Sequence, residues 1–320
     1  MTRLLPNVNQ TADAQPVYDI LNCGPNNRFV ANGRLVHNSG ANKLNLQNLP
    51  RGSLLRNSIV APEGQLLVVC DLAQIEARVL AWIAEEDKIT TVFSEKRDLY
   101  SEVATEIYGF QVNKKDHPDE RWVGKTAALG LGYSMSATKF QIYCGIMGRQ
   151  LEPSFCEKVV ETYRTTYCHI PELWKRAQYA IHLLQRTNNE NYHLAPGITF
   201  HNHTIILPSQ RKLSYEGLNY VEDEQAYRLP NGKKVYGALI IENIVQAISR
   251  DILVHQLLTI HPRYPVVMHT HDELIVCVPE NEAETARDYL LEVMRTAPPW
   301  ITGIPLDAEA GIGKRYGDCK

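Results

Sequence analysis

Two aspartates, Asp71 and Asp272, stand beside apolar runs that are far apart in the sequence. Asp71 falls near the end of QLLVVCDL (65–72), a run typical of a buried strand, and Asp272 falls in YPVVMHTHDELIVCVPE, where two β-rich runs predict a hairpin. A carboxylate beside buried Val and Leu side chains is costly unless it is paired or binds a metal ion. Either aspartate taken alone is more simply interpreted as a turn or capping residue.

The chemistry changes if the two aspartates meet. Two neighbouring carboxylates repel each other, and one pKa rises, unless divalent cations lie between them. Hard oxygen ligands with open positions suit Mg²⁺, which keeps several waters and takes further ligands from substrate phosphates. The pair therefore predicts a site with two Mg²⁺ ions for phosphoryl transfer.

A candidate phosphate-binding face lies between the two aspartates, in RWVGKTAALGLGY (121–133). On a helix, Arg121, Lys125, Leu129 and Tyr133 recur every four residues and share one face. Two cations followed by an apolar contact and an aromatic ring suit a triphosphate and then a stacked base. The plain alternative is a solvated helix with a basic face, and by itself this segment favours that alternative.

The surrounding elements predict an α+β fold. QIEARVLAWIAEE follows Asp71 with apolar residues at helical spacing, residues 98–187 form successive helices, and HTIILPSQRKLSY alternates like a hairpin. ALIIENIVQAISRDILVHQLLTI is a long helix, EAETARDYLLEVMRTA an amphipathic one, and a short strand follows near PLDAEAG. Strands on both sides of a helical block predict that the block is inserted into one sheet.

Composition excludes several other classes. The 320 residues suggest roughly two domains, and 44% hydrophobic and 22% charged residues are ordinary for a globular protein. No apolar run reaches about 18 residues and no signal peptide is recognisable, so we expect a cytoplasmic protein without a membrane partner. The seven cysteines are scattered without a CxxC pair, which argues against a zinc site or a disulfide framework.

Taken together, three segments resemble the motifs of family A DNA polymerases, the DNA polymerase I family. VVCDLAQIEARVLAWIA resembles motif A, RWVGKTAALGLGY motif B and VVMHTHDELIVCVP motif C. LNLQNLPRGSLLRNSIVAP is similar to the template-primer segment before motif A, and ENIVQAISRDIL to the helix that reads the minor groove. The resemblance covers residues 39–320, with phage-encoded members nearest, and implies a right-hand palm of antiparallel sheet with inserted helical fingers.

The resemblance also implies roles for individual residues. Asp71 and Asp272 would hold two Mg²⁺ ions together with the Leu72 carbonyl, while Lys125 would contact the triphosphate and protonate the leaving pyrophosphate. Glu76 would exclude a 2′-hydroxyl, which implies DNA rather than RNA synthesis. Further nucleotide contacts would come from Arg121, Leu129, Tyr133 and Gln74. His271 and Glu273 would support the primer end and the metal site. Duplex contacts, which report base-pair geometry rather than sequence, would come from Asn45, Gln47, Arg78 and Gln246.

One motif position departs from the family pattern. Where family members usually carry Phe or Tyr against the deoxyribose, this chain has Leu129. An aliphatic side chain offers less contact area than an aromatic ring, so we expect an altered rate and weaker acceptance of dideoxynucleotides.

The segment before residue 39 resembles a different kind of protein. VYDILNCGPNNRFVANGRLVHN (17–38) is similar to the C-terminal end of an intein and is followed directly by Ser39. In that chemistry the Asn38 amide attacks its own carbonyl and closes a succinimide, a step favoured by proximity. His37 would donate a proton, Ser39 would accept the upstream acyl chain, and Asp19 would assist the acyl shifts.

These resemblances predict four segments and a partner. Residues 1–38 form the intein fragment, 39–95 the first part of the palm, 96–235 the fingers and 236–320 the second part of the palm. A second polypeptide, carrying the upstream polymerase and the N-terminal intein half, would be joined to Ser39. Two alternatives stay open: non-covalent assembly behind an inactive intein tail, and a DNA-binding remnant without catalysis. Intact Asp71, Lys125 and Asp272 argue against the remnant.

Overall fold

The computed structural model describes residues 28–31, 34–37, 54–185 and 190–319, with the side chains described from Arg56 onward. Contacts divide the chain into two compact units. The first comprises Met1–Asp71, Gln256–Met294 and Ala308–Lys320, and the second comprises Leu72–His255 and Arg295–Asp307. These divisions differ from the predicted domain boundaries at 95/96 and 235/236, which follow the motifs and stay predictions.

The described residues form the following helices and strands. The helices are α1 (Leu54–Asn57), α2 (Ile75–Ala84), α3 (Asp87–Ser94), α4 (Leu99–Tyr108), α5 (Pro118–Leu131), α6 (Ala137–Ile146), α7 (Pro153–Thr166), α8 (His169–Ala180), α9 (Gly237–Ile260) and α10 (Ala283–Arg295). The strands are β1 (Arg28–Ala31), β2 (Arg34–His37), β3 (Gln65–Leu72), β4 (Tyr192–Ala195), β5 (Ile198–His201), β6 (Thr204–Ile206), β7 (Lys212–Ser214), β8 (Asn219–Val221), β9 (Ala226–Arg228), β10 (Lys234–Val235), β11 (Val266–Thr270), β12 (Glu273–Pro279) and β13 (Ala308–Gly313).

The first unit is built on a four-stranded sheet in the order β11-β12-β3-β13. β12 pairs antiparallel with both β11 and β3, so the predicted hairpin and the predicted strand are confirmed. The middle of β3 is buried on both faces, which explains its unbroken apolar run. On one face, side chains of β3 and β12 pack with those that follow β13, in a cluster of Ala61, Leu67, Val69, Ile275, Tyr316 and Cys319.

The second unit carries the predicted helical block, α2 to α8, and most of α9. It also contains two small sheets, in the orders β4-β5-β6-β7 and β10-β9-β8. The predicted hairpin in HTIILPSQRKLSY is confirmed as β6 and β7. The sheet of β8, β9 and β10 was not predicted, because strands of two or three residues are too short to show alternation.

Of the segment predicted as intein, only an antiparallel hairpin is described. β1 pairs with β2 in a register that joins Arg28 to His37 and Ala31 to Arg34. The rest of that segment lies outside the described residues. Helices and antiparallel sheets together confirm the α+β prediction for the described part of the chain. Among its helices, none has the length and apolarity needed to cross a membrane.

Candidate active site

The sheet of the first unit brings three acidic residues together. Asp71, near the end of β3, is the register partner of Glu273, the first residue of β12. Side chains that face each other across an antiparallel pair have Cβ atoms about 4.5–5.5 Å apart and lie on the same face. Asp272 precedes Glu273 directly, in a turn of two residues with His271, whose φ of 47° is left-handed. The two apolar runs of the sequence therefore pair as β3 and β12, with their acidic residues at the same end.

Glu273 is the most enclosed member of this group, with a relative exposure of 6%. The Tyr316 hydroxyl donates a hydrogen bond to its Oε1, and Nη2 of Arg56 lies 3.8 Å from the same oxygen. The Arg56 guanidinium carbon also lies 4.0 Å from the centroid of the Tyr316 ring. Burial, and then the bond to Glu273, raise the pKa of Tyr316 to about 12. The sequence motifs gave no reason to single out Arg56 or Tyr316.

The two aspartates provide the ligand chemistry of a magnesium site. Asp71 and Asp272 are both partly buried and offer carboxylate oxygens, which Mg²⁺ prefers. Across the described ranges, no group of three or more His, Cys, Asp or Glu side chains could hold a metal ion by itself. That result is compatible with Mg²⁺, because this ion is usually bound by one or two carboxylates with waters and substrate phosphates.

In the second unit, α5 presents the predicted basic face. Pro118 begins the helix and Asp119 and Glu120 occupy its first turn, all favourable at a helix N-terminus. Lys125 is exposed, and Leu129 is 47% exposed although it is apolar. An exposed leucine beside an exposed lysine is compatible both with a ligand-binding face and with the plain solvated helix.

The prediction that Tyr133 continues this helical face is wrong. α5 ends at Leu131, and the Gly132 carbonyl accepts a hydrogen bond from Nε1 of Trp174 over 3.0 Å. Gly130 in the last turn and Gly132 at the C-cap weaken the end of the helix, and Ser134 then adopts a left-handed φ of 65°. Tyr133 therefore follows the helix in a turn, instead of standing on its face.

The opposite side of α5 is fixed against α4 by close packing. A Cβ added at Gly124 would lie 2.2 Å from the Tyr100 carbonyl oxygen, so only glycine permits this approach. Val123, Ala127 and Leu131 are buried on the same side. This packing determines which side of α5 carries Arg121 and Lys125.

Arg121 already has a partner within the second unit. Its Nε lies 2.5 Å from Oδ2 of Asp98 and its Nη2 lies 3.0 Å from Oδ1, a bidentate pair. Tyr100 lies beside both cations, with its ring centroid 5.3 Å from the Arg121 guanidinium carbon and 5.8 Å from Nζ of Lys125. A phosphate that binds Arg121 must therefore compete with the Asp98 carboxylate.

Glu76, in the first turn of α2, lies near the Tyr133 hydroxyl in the turn after α5. Burial is the main cause that raises the pKa of Tyr133, and nearby Glu76 adds to it. Gln74 precedes α2 with a left-handed φ of 53°. Two residues that the resemblance assigned to the nucleotide, Glu76 and Tyr133, thus lie close to each other.

Arg78 corrects one prediction. Instead of being available to DNA, its side chain is 5% exposed and donates to the carbonyl oxygens of Ala73 and Pro305. Its guanidinium carbon lies 4.1 Å from the centroid of the Phe93 ring, and burial lowers its pKa. The side chain is buried and bonded through Nε and Nη1 to two backbone carbonyls, so Arg78 holds α2 in place.

The other predicted DNA contacts are placed in part. Gln246 is exposed on α9, and His271 is exposed in the turn before Asp272. Asn45 and Gln47 lie outside the described residues, as do Asp19, Asn38 and Ser39. His37 ends β2, and only its backbone is described.

With this geometry in place, comparison defines the class of protein. The sequence matches DNA polymerase family A over residues 19–318, so the chain belongs to that family. The match begins within the segment that resembles an intein. A DNA polymerase of Bacillus phage SP02 is 30% identical over 282 residues, which cover 82% of this chain and 43% of the relative. The thermostable DNA polymerase I of Thermus filiformis is 29% identical over 304 residues, covering 92% and 32%.

A solved structure shares the fold. The POL domain of Pol1 from M. smegmatis, in complex with DNA primer-template and dNTP, aligns with a TM-score of 0.60 at 18% identity. The alignment covers 86% of this chain and 45% of that chain. This chain therefore spans less than half the length of the relatives described here.

The Asp98–Arg121 pair generates a prediction about pH. Burial acts to raise the pKa of Asp98, but hydrogen bonds from Arg121 and Ser101 outweigh it and lower the pKa below its usual value. A lowered carboxyl pKa stabilises the fold above the unfolded pKa of about 4, and this stabilisation is lost as the pH falls through the folded value. We expect Asp98→Asn to lower the Tm by about 2–4 °C at pH 7 and by less at pH 3.

Thermal unfolding followed by circular dichroism at both pH values checks this expectation. Asp288→Asn is the matched control, because Asp288 pairs with its neighbour Arg287 on the exposed surface of α10 and should shift the Tm little. An Asp98→Asn deficit that is equally large at pH 3 and pH 7 would contradict the assignment.

Proposed function

We propose that this chain is the palm-and-fingers part of a DNA-directed DNA polymerase, which transfers nucleotides to a primer by a two-metal mechanism. The observation that carries the proposal is the register of β3 against β12, which sets Glu273 opposite Asp71 and places Asp272 in the adjoining turn. Membership of DNA polymerase family A supports the reaction type. The dNTP and primer-template in the complex of the mycobacterial relative support the substrates.

Asp71, Asp272 and the Leu72 carbonyl are the groups that would hold the two Mg²⁺ ions. Bound Mg²⁺ would neutralise charge that develops on the transferred phosphoryl group. The chain's own contribution is to hold the two carboxylates on a rigid sheet. A hairpin with a two-residue turn leaves Asp272 little freedom relative to Asp71, and such preorganisation lowers the cost of assembling the site.

The nucleotide would be bound through α5 and the residues around it. Lys125 is exposed and can reach a triphosphate, and it would give a proton to the leaving pyrophosphate. Arg121 would exchange the Asp98 carboxylate for phosphate oxygens, since a guanidinium binds both in the same bidentate manner. Tyr133 would hold Glu76 against the sugar, where the carboxylate would exclude a 2′-hydroxyl.

Primer and template would be contacted by polar side chains that read no sequence. Gln246 and His271 are exposed and can donate or accept hydrogen bonds. All base pairs present hydrogen-bond acceptors in the minor groove. An amide side chain that donates to such an acceptor therefore responds to the geometry of the base pair and not to its sequence. Asn45 and Gln47 would add contacts of the same kind.

Substitution of the aspartates tests the reaction. We expect Asp71→Asn and Asp272→Asn each to lower the rate of primer extension by about 1,000-fold, because several kcal/mol of charge stabilisation are lost. The assay is single-nucleotide extension of a labelled primer by the complete protein with Mg²⁺, supplied with the upstream polypeptide if extension requires it. Asp288→Asn removes an exposed carboxylate from the same unit and should keep full activity. Aspartate variants that extend within tenfold of the wild type would refute the proposal.

Leu129 provides a test of sugar selection. We expect Leu129→Tyr to increase dideoxynucleotide incorporation relative to deoxynucleotide incorporation, because an aromatic ring restores contact area against a sugar that lacks its 3′-hydroxyl. The ratio of the two kcat/KM values on one primer measures the effect, and Leu129→Met is the control for side-chain size without a ring. An unchanged ratio in the Tyr variant would show that Leu129 does not select the sugar.

We further propose that residues 1–38 support protein trans-splicing at the Asn38–Ser39 bond. The hairpin of β1 and β2 ends at His37, so the first residue of the proposed splicing triad His37-Asn38-Ser39 is the last residue of a paired strand. The partner would be a polypeptide carrying the upstream polymerase and the N-terminal intein half. One observation favours the competing function, a non-covalent assembly without splicing: the family A match begins at residue 19, ahead of the proposed junction.

A single variant separates these two functions. When the chain is mixed with its upstream partner, we expect a ligated product and a released fragment of residues 1–38, both visible on a denaturing gel and by intact mass. Asn38→Ala should abolish release because alanine has no amide to form the succinimide, whereas Asn26→Ala, which removes an amide elsewhere in this segment, should not. Primer extension by the mixture without any ligated product would favour non-covalent assembly.

A further inference from the structure

We infer that Tyr316 is a positioning residue for the proposed reaction: with Arg56, it fixes the Glu273 carboxylate beside Asp71. This inference rests on the proposed polymerase function. None of the sequence motifs includes Tyr316, which lies in the segment after β13. The contact that matters is the hydrogen bond from the Tyr316 hydroxyl to Oε1 of Glu273.

The first step of the argument is burial. Tyr316 is 2% exposed, Arg56 7% and Glu273 6%, so the carboxylate is largely shielded from water. A buried carboxylate needs a hydrogen-bond donor or a cation, and the structure provides both on the same oxygen. A hydrogen bond to an ionised acceptor is roughly twice as strong as a neutral one.

The second step is geometry. Glu273 faces Asp71 across the strand pair, so a freely rotating Glu273 carboxylate could approach that of Asp71. Two carboxylates that approach each other repel. Tyr316 and Arg56 hold the Glu273 carboxylate in one conformation, so it is not free to move toward that of Asp71. Arg56 contributes twice, because its guanidinium contacts the Glu273 oxygen and lies over the ring that carries the donating hydroxyl.

The third step separates positioning from direct participation. Tyr316 is not one of the proposed metal, nucleotide or DNA contacts, and it acts through Glu273. The Tyr316→Phe variant keeps the ring beneath Arg56 and removes only the hydroxyl, so the fold of the first unit should persist. We expect kcat for nucleotide addition to fall about tenfold, as is usual for groups that orient an active-site ligand. The KM for dNTP should stay within about twofold, since no ground-state contact is lost.

Non-additivity is the decisive readout. In a Glu273→Gln background, Tyr316→Phe should lower kcat by no more than about twofold further, because the charge that the hydroxyl orients is already gone. Tyr289→Phe is the matched control: its hydroxyl donates to the Thr259 carbonyl over 3.4 Å, and Arg263 lies 4.5 Å from its ring centroid. Like Tyr316, Tyr289 lies in the first unit and has a hydrogen-bonded hydroxyl and an arginine over its ring. The Tyr289→Phe variant should leave kcat unchanged.

A second measurement does not depend on polymerisation. Thermal unfolding of the full chain should show that Tyr316→Phe lowers the Tm by about 3 °C in the wild-type background and by less than half of that in the Glu273→Gln background. If the wild-type chain extends no primer even with its upstream polypeptide, the proposed function fails, while this coupling still tests the contact. A Tyr316→Phe variant with wild-type kcat and Tm, or losses that combine independently with those of Glu273→Gln, would overturn the inference.

Discussion

The structure of the candidate site depends on one strand pairing. β3 and β12 pair antiparallel from Gln65–Pro279 to Asp71–Glu273, and a shift by one residue would turn every side chain to the other face. The apolar residues between these ends are buried, so the hydrophobic effect holds the register. The register in turn forces carboxylates together at one end, where charge repulsion opposes the pairing.

That repulsion explains why the acidic end of the sheet is surrounded by specific partners. The Arg56 guanidinium and the Tyr316 hydroxyl neutralise and orient Glu273 within the fold itself. Asp71 and Asp272 have the chemistry to bind cations, which would offset their charge in the same way. Burial of the apolar residues of the sheet thus stabilises a close approach of carboxylates that is unfavourable by itself. Such local strain is common at functional sites.

In the helical unit, one side of α5 packs against α4 and the opposite side carries the cations. Gly124 allows α5 to approach the backbone of α4 closely, and this fixes the direction in which Arg121 and Lys125 point. Asp98 holds Arg121 in a bidentate pair, so the cation is ordered before any phosphate arrives. A long side chain that is already ordered loses less conformational entropy when it binds a ligand. The Asp98 carboxylate, however, has to be displaced.

The sequence by itself determined the long elements and the acids at their ends. QLLVVCDL, the hairpin around THDE and the 24-residue α9 have strong apolar patterns, and the motifs they carry resemble those of family A. Such patterns did not predict the strands of two or three residues, the end of α5 before Tyr133 or the burial of Arg78. Only the tertiary structure decided these features and the Arg56–Glu273–Tyr316 group. Their energies come from contacts between residues distant in sequence, which local periodicity does not encode.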